Sequence, residues 1–184
     1  MARSKQQIKT VIFDADGVLT DGKFLYTADG KYAKIYGPDD SDGLSILKKN
    51  AEIVFITGDK RGFAITKKRI EDMKFSVHLV STFERLDWIK EHYDLNSTVY
   101  MGDGIYDALV FPHVAYSVAP ANAFYLAKDK ADFVTKSRGG EGAVAEACLH
   151  IMEKFFEPFD LEKLDLSGGS GAWAKNEKKH DRKN

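Results

Sequence analysis

Short apolar runs alternate along this chain with segments that carry helical spacing, and this alternation limits the fold more than any other feature. Buried strands are predicted for the apolar runs at 9–14, 52–57, 76–80, 97–103 and 114–119. Helices are predicted for the segments at 42–50, 62–74, 83–93, 105–111 and 142–156. Strands and helices that alternate with short links predict an α/β fold, a Rossmann-like three-layer sandwich with a mostly parallel sheet between helices.

One segment, 22–37, departs from this alternation. Its sequence "GKFLYTADGKYAKIYG" has two aromatic-rich runs on either side of Ala28, Asp29 and Gly30, which together predict a β-hairpin inserted after the first strand. No link between strands is long enough for a cap domain. We therefore expect one domain over 1–157, with the hairpin as a flap. The remainder, 158–184, is expected to be a flexible, basic C-terminal tail.

Composition narrows the class of protein. A chain of 184 residues with 43% hydrophobic and 30% charged residues is typical of a soluble domain with a full core. The net charge of −1 gives no reason to expect a nucleic-acid or anionic-membrane partner. The single cysteine, Cys148, cannot form an internal disulfide, and no apolar run has the length of a signal or membrane segment. These features predict a cytoplasmic protein.

Acidic residues follow two of the predicted strands. In "VIFDADGVLTDG", Asp14 and Asp16 end the first apolar run, and in "YMGDGIYDA", Asp103 follows another strand with Asp107 one helical turn later. Each acid alone would suit a turn or a helix cap. Ligands of parallel sheets bind outside the carboxyl ends of the strands, so these acids are expected to gather at one edge. Crowded carboxylates repel one another, and Mg²⁺ is the usual compensating cation.

A third strand ends at the same edge in "FITGD". Thr57 offers a hydroxyl there, and Gly58 offers an unobstructed backbone N–H group. Both are suitable donors for the oxygens of a phosphate group recruited by the metal ion. The sequence therefore predicts a phosphate-binding metal site.

These motifs resemble those of a known family. "FDADGVLTDG", "ITGD" and "GDGIYDA" are similar to the motifs of the haloacid dehalogenase superfamily of phosphatases. The hairpin, "DSDGLSILKK" and "RGGEGAVAEAC" extend the resemblance to its small capless members, over about 8–156. The resemblance implies a magnesium-dependent phosphatase acting on 3-deoxy-octulosonate 8-phosphate or a nine-carbon ulosonate 9-phosphate. Such enzymes serve lipopolysaccharide or sialic acid biosynthesis.

The resemblance also implies a role for each matching residue. Asp14 would be the nucleophile that forms an aspartyl-phosphate, and Asp16 the general acid and base. Asp14, the backbone carbonyl of Asp16 and Asp103 would bind Mg²⁺, with Asp107 orienting the water molecules around the metal. Thr57 would donate a hydrogen bond to the phosphoryl group.

Two positions differ from the family pattern. The family has a lysine that holds the phosphate at the start of the helix after the third strand, where this chain has Arg85. Arginine retains the charge and can bind phosphate with two donors, although a solvated helix-surface position is the alternative. Asp59 stands where octulosonate enzymes usually carry arginine, as either a substrate-selecting acid or a favourable helix-start acid.

The hairpin also suggests an assembly. Its aromatic side chains, Phe24, Tyr26, Tyr32 and Tyr36, should be buried against another surface, because an isolated two-stranded ribbon is marginal in water. The resembling family is tetrameric through this element, so we expect a homotetramer in which a neighbouring subunit closes the site. The alternative is that the hairpin folds back on its own sheet.

Two other functional classes compete with the phosphatase. A receiver-like signalling domain also gathers aspartates at a sheet edge, but its acidic pair is adjacent, whereas Asp14 and Asp16 are two residues apart. The second is a phosphatase-like domain with weak or lost activity that serves assembly or regulation, as in synthetase-linked domains. The four aspartates argue against that loss, and Arg85 argues for it.

Overall fold

The computed structural model describes residues 7–163 of the chain, so the predicted tail lies largely outside the described residues. In this part, the strands are β1 Thr10–Asp14, β2 Leu25–Thr27, β3 Gly30–Ala33, β4 Glu52–Thr57, β5 Ser76–Leu79, β6 Thr98–Met101, β7 Tyr116–Ala119 and β8 Phe133–Val134. The α-helices are α1 Asp40–Leu47, α2 Phe63–Asp72, α3 Arg85–His92, α4 Asp107–Val110, α5 Tyr125–Lys130 and α6 Ala143–Phe155. Short 3-10 helices lie at Leu95–Ser97, Phe111–His113 and Leu161–Lys163.

Six of these strands form one sheet in the order β5-β4-β1-β6-β7-β8, and every neighbouring pair is parallel. The central strand β1 is buried along its whole length, as its apolar run predicts. Alternate residues of β1 enter two cores: Val11 and Phe13 pack with α1 and α6, and Ile12 packs with α3 and α4. The predicted three-layer α/β sandwich is therefore confirmed.

The first and last helices pack closely against each other. A Cβ at Gly43 in α1 would come within 2.5 Å of the Ala145 Cα in α6, so this approach requires glycine. The apolar stripe of α6, with Val144, Cys148 and Ile151, is completely buried against α1 and the sheet. Among residues 7–163, no helix has both the length and the apolar character needed to cross a membrane.

Among the described α-helices and β-strands, α5 and β8 were not predicted. Helix α5 has the sequence "YLAKDK", which is too short and too polar to show an apolar stripe. Strand β8 has only two residues, Phe133 and Val134. They are recognised as a strand only because they pair with Val118 and Ala119 of β7. Both elements depend on tertiary contacts that local sequence does not show.

The hairpin forms as predicted, from β2 and β3 paired antiparallel in a sheet of their own. Its turn ends at Gly30, whose φ of +118° is unfavourable for residues with a side chain. Tyr26 is 58% exposed and Tyr32 is 73% exposed in the single chain. These two side chains do not fold back on the main sheet, whereas Tyr36 packs against the core beneath it. The assembly and the folded-back alternative both therefore stay predictions.

Asp40, in the first turn of α1, supplies a prediction about stability. It is completely buried, and Oδ1 accepts a hydrogen bond from the Ala145 backbone N–H at 3.1 Å. Its other oxygen, Oδ2, has no hydrogen-bond partner among the described residues. Burial raises the pKa of Asp40 from 3.8 to about 6.

The folded protein therefore keeps a proton on Asp40 between pH 4 and 6 that the unfolded chain has lost, and stability falls as the pH rises through this window. Asp40→Asn should remove this dependence and raise the free energy of unfolding by roughly 1–3 kcal/mol at pH 8. Urea unfolding at several pH values measures this pH dependence, with exposed Asp129→Asn, on α5, as the control. Identical pH profiles for wild type and Asp40→Asn would contradict the prediction.

Candidate active site

The acidic residues meet at the carboxyl edge of the sheet, as predicted. Asp14 ends β1 and Thr57 ends β4, while Asp103 lies two residues beyond β6. Strands β4 and β6 are the two neighbours of β1, so the three strand ends lie side by side. They border a cleft of about 440 Å³, whose lining includes Asp14, Asp16, Phe24, Lys31, Gly58, Asp59, Arg85, Asp103 and Asp107.

The turn after β1 brings its backbone against the next acidic loop. Gly17 has a φ of +81°, and a Cβ at this position would overlap the Asp103 carboxylate. The Thr20 hydroxyl accepts hydrogen bonds from the backbone N–H groups of Gly17 and Gly22, at 3.1 and 3.2 Å. The glycine and threonine of the "DGVLTDG" motif therefore shape the turn that holds Asp14 and Asp16 beside Asp103.

Arg85 lies inside the site, so the solvated-surface alternative is wrong. Its side chain is 4% exposed, and its Nη1 and Nη2 donate to the two carboxylate oxygens of Asp14 at 3.1 and 3.3 Å. Nη1 also donates to the Tyr100 hydroxyl at 3.0 Å and to Asp107. Burial opposes the charge, but Asp14 and Asp107 outweigh it and raise the pKa of Arg85. The guanidinium therefore fixes the Asp14 carboxylate.

Asp107 supports the surrounding loop. Its Oδ1 accepts from Arg85 and from the Tyr100 hydroxyl, the latter at 2.5 Å. Its Oδ2 accepts from the backbone N–H groups of Asp103 and Gly104, at 3.1 and 2.8 Å. Both oxygens are thus engaged within the protein, which suits a residue that orients its neighbours.

The carboxylates fit a divalent cation. Asp14, Asp103 and Asp107 each offer an oxygen, and the three atoms lie within 4.8 Å of one another. Burial and the Asp107 charge raise the pKa of Asp103 to about 7, and burial raises the pKa of Asp14 despite Arg85. Arg85 pairs with Asp14 and Asp107, so one positive charge faces three carboxyl groups. These grouped oxygen atoms are suitable ligands for a hard metal ion.

Asp16 lies beside this group and is held by two donors. The Thr57 hydroxyl donates to its Oδ2 at 2.9 Å, and the Lys34 ammonium donates to its Oδ1 at 2.6 Å. Sequence reasoning missed Lys34, because it comes from the hairpin and no local pattern shows where its side chain points. It also missed Tyr100, which a buried apolar strand gives no reason to single out as a donor to Asp107.

Asp59 is paired with the hairpin. Its carboxylate lies 2.6 Å from the Lys31 ammonium and 2.8 Å from that of Lys34, and it accepts from the Gly62 backbone N–H at 3.0 Å. Burial alone would raise its pKa, but these partners outweigh it and lower the pKa to about 2. Asp59 thus stays ionised next to the turn that begins α2.

The fold and the acidic cleft together define a phosphatase of the haloacid dehalogenase type. The family of haloacid dehalogenase-like hydrolases matches residues 86–147. The 3-deoxy-D-manno-octulosonate 8-phosphate phosphatase of Haemophilus influenzae is 32% identical over 158 residues, covering 83% of this chain and 87% of that protein.

Solved structures agree with this relationship. The cobalt-bound form of the Haemophilus influenzae deoxy-D-mannose-octulosonate 8-phosphate phosphatase is 30% identical, with a TM-score of 0.71 over 81% of this chain and 90% of that one. The Moraxella catarrhalis 3-deoxy-D-manno-octulosonate 8-phosphate phosphatase shares the fold, at 24% identity and a TM-score of 0.70 over 82% and 88% of the two chains. The chain belongs to the family of the 3-deoxy-D-manno-octulosonate 8-phosphate phosphatases.

Proposed function

We propose that this protein hydrolyses the phosphate ester of a sugar acid with the help of Mg²⁺, through a phosphorylated Asp14. The observation that carries the proposal is the Asp14 carboxylate, which ends β1 in the cleft, is held by Arg85 and lies beside Asp103. A carboxylate fixed in this way is prepared for in-line attack on phosphorus.

The surrounding residues have complementary roles in this proposal. As an Asp14 oxygen attacks phosphorus, the bond to the sugar oxygen breaks and Asp16 gives its proton to that oxygen. Asp16 then takes a proton from the water that attacks the phosphorus, and the Asp14 carboxylate is released. The Thr57 hydroxyl and the Gly58 backbone N–H would bind phosphoryl oxygens, and the Arg85 charge would stabilise the phosphoryl group next to Asp14.

The carboxylates of Asp14 and Asp103, with the backbone carbonyl of Asp16, would hold the metal ion, and Asp107 would orient its water molecules. The relative from Haemophilus influenzae was solved with cobalt, and that from Moraxella catarrhalis with magnesium, phosphate and KDO. When bound, Mg²⁺ supplies charge that offsets the phosphate and the crowded carboxylates.

The substrate is proposed to be 3-deoxy-octulosonate 8-phosphate or a nine-carbon ulosonate 9-phosphate. The names of the relatives support the first. Asp59, which replaces the arginine usual in octulosonate enzymes and is closer to the glutamate of the nine-carbon enzymes, supports the second. The site for either would be the cleft beside Lys31 and Phe24.

A phosphate-release assay over both sugar-acid phosphates and simple esters tests the proposal. Release should depend on Mg²⁺, should disappear with a chelator, and should be fastest for one of the sugar-acid phosphates. Strong phosphate release that persists in the presence of the chelator would contradict the requirement for a metal ion. Equal rates for all esters would contradict the proposed substrate class.

The proposal extends to the domain plan and the assembly. Residues 1–157 would form the catalytic domain and 158–184 a tail, in a cytoplasmic enzyme. The exposed aromatic side chains of the hairpin, which include Tyr26 and Tyr32, support a homotetramer that forms through this flap and closes the cleft.

Tyr26→Asp should therefore dissociate the assembly and also lower activity, because it places a charge in the apolar contact. Light scattering after gel filtration, together with the phosphate-release assay, measures both effects. Exposed Lys48→Met is the control. A wild-type monomer at micromolar concentration with full activity would contradict the assembly.

A further inference from the structure

The hairpin places a buried lysine on the proposed general acid. Lys34 follows β3 directly, and its side chain has no exposed surface. Its ammonium lies 2.6 Å from Asp16 Oδ1, 2.7 Å from the Thr66 hydroxyl and 2.8 Å from Asp59 Oδ2. The first two contacts are hydrogen bonds and the third is an ion pair, so the ammonium is enclosed by two carboxylates and one hydroxyl.

Burial of an ammonium group costs free energy unless fixed polar or charged partners compensate for the lost water. The three contacts of Lys34 provide this compensation. Burial lowers the pKa of Lys34, but the hydrogen bond to Asp16 and the ion pair with Asp59 outweigh it and raise the pKa above its usual 10.5. Lys34 therefore remains charged in the neutral pH range. Its partners come from the turn after β1, the loop after β4, and α2, so it joins the hairpin to three parts of the cleft wall.

Thr57 shows why this contact matters. The Asp16 carboxylate is held by Lys34 at Oδ1 and by the Thr57 hydroxyl at Oδ2. A hydroxyl has a single proton, so Thr57 cannot donate to Asp16 and to a phosphoryl oxygen at the same time. When Thr57 turns to the phosphoryl group, as its proposed role requires, Lys34 is the donor that remains on Asp16.

We propose that Lys34 is the positioning residue that orients Asp16 for its proton transfers, an inference that rests on the proposed phosphatase mechanism. The contacts of Lys34 continue into the flap, because Asp59 also pairs with Lys31. The Lys31 ammonium in turn lies 3.5 Å from the centre of the Phe24 ring. The position of the hairpin is thereby coupled to the position of the general acid.

Leaving-group chemistry separates this role from a structural one. A sugar alkoxide must be protonated as its bond to phosphorus breaks, so its departure depends on a well-placed Asp16. The p-nitrophenolate ion departs without a proton. The value of kcat/KM reports the steps up to the first irreversible bond cleavage, and it should therefore show the defect only for the sugar ester.

The test compares Lys34→Met and Lys34→Gln with the wild type and with the exposed control Lys48→Met. For Lys34→Met, kcat/KM should fall about 10²-fold on the sugar-acid phosphate and less than about threefold on p-nitrophenyl phosphate. Lys34→Gln, which keeps one N–H donor for Asp16, should show the same pattern with a smaller loss. Circular dichroism establishes that each variant is folded.

Equal losses on the two esters, or no loss on either, would overturn the role of Lys34. If Lys34→Met does not fold, the same comparison in Lys34→Gln decides, with equal losses again overturning the proposal. Failure of the phosphatase assignment is a different result, since the wild type itself would then release phosphate from neither ester.

Discussion

Asp14→Asn is expected to lower phosphate release at least ~10³-fold. Asparagine matches aspartate in size, but its neutral amide is a poor nucleophile and cannot contribute a charge to a metal ion. In the wild type, both carboxylate oxygens of Asp14 accept from Arg85, so the attacking group is already oriented. The loss should therefore appear mainly in kcat, because the other phosphate donors remain in place.

The matched control for this variant is Asp87→Asn. Asp87 lies on α3 with a side chain that is 85% exposed. Asp87→Asn therefore replaces the same carboxylate by an amide, but away from the cleft. The control should retain wild-type activity. Undiminished activity in pure Asp14→Asn would show that the reaction does not use this carboxylate as its nucleophile.

Arg85→Ala is expected to produce the second large loss, roughly 2–4 kcal/mol of transition-state stabilisation. The structure adds a second consequence: removal of the guanidinium leaves the buried carboxylates of Asp14 and Asp107 without their shared cation. The variant should therefore also unfold at a lower temperature. Steady-state kinetics and thermal unfolding measure the two effects separately.

Arg85→Lys should keep or improve activity, because it restores the residue that the family carries here. Lys90→Ala, on the exposed side of α3, is the control and should change neither measurement. An unchanged kcat/KM in Arg85→Ala would contradict the proposed role of Arg85 at the phosphoryl group.

The sequence was most informative about the central sheet. Strands such as β1 and β4 are continuous apolar runs, because helices cover them on both faces, and such runs are visible without a structure. The meeting of Asp14, Thr57 and Asp103 then follows from the rule that parallel strands present their carboxyl ends at one edge of the sheet. The family resemblance assigned roles to these residues, and those roles remain predictions.

The contacts around Asp16 could not be predicted. Lys34 and Lys31 belong to the inserted hairpin, and their burial beside Asp59 depends on how that hairpin lies against the loop after β4. Likewise, the Tyr100 hydroxyl reaches Asp107 only because β6 and α4 are brought together by the loop between them. Such contacts join distant or differently oriented segments, and local periodicity contains no information about them.

The phosphorylation of Asp14 is tested most directly by trapping the phosphorylated enzyme. The wild type would be mixed with Mg²⁺ and the preferred sugar-acid phosphate, quenched in acid within milliseconds, and digested for mass spectrometry. We expect a transient phosphoryl group on the peptide that contains Asp14, absent without Mg²⁺ and absent in Asp14→Asn. Rapid turnover with no phosphorylated peptide at any quench time, or a phosphoryl group on another residue, would contradict it.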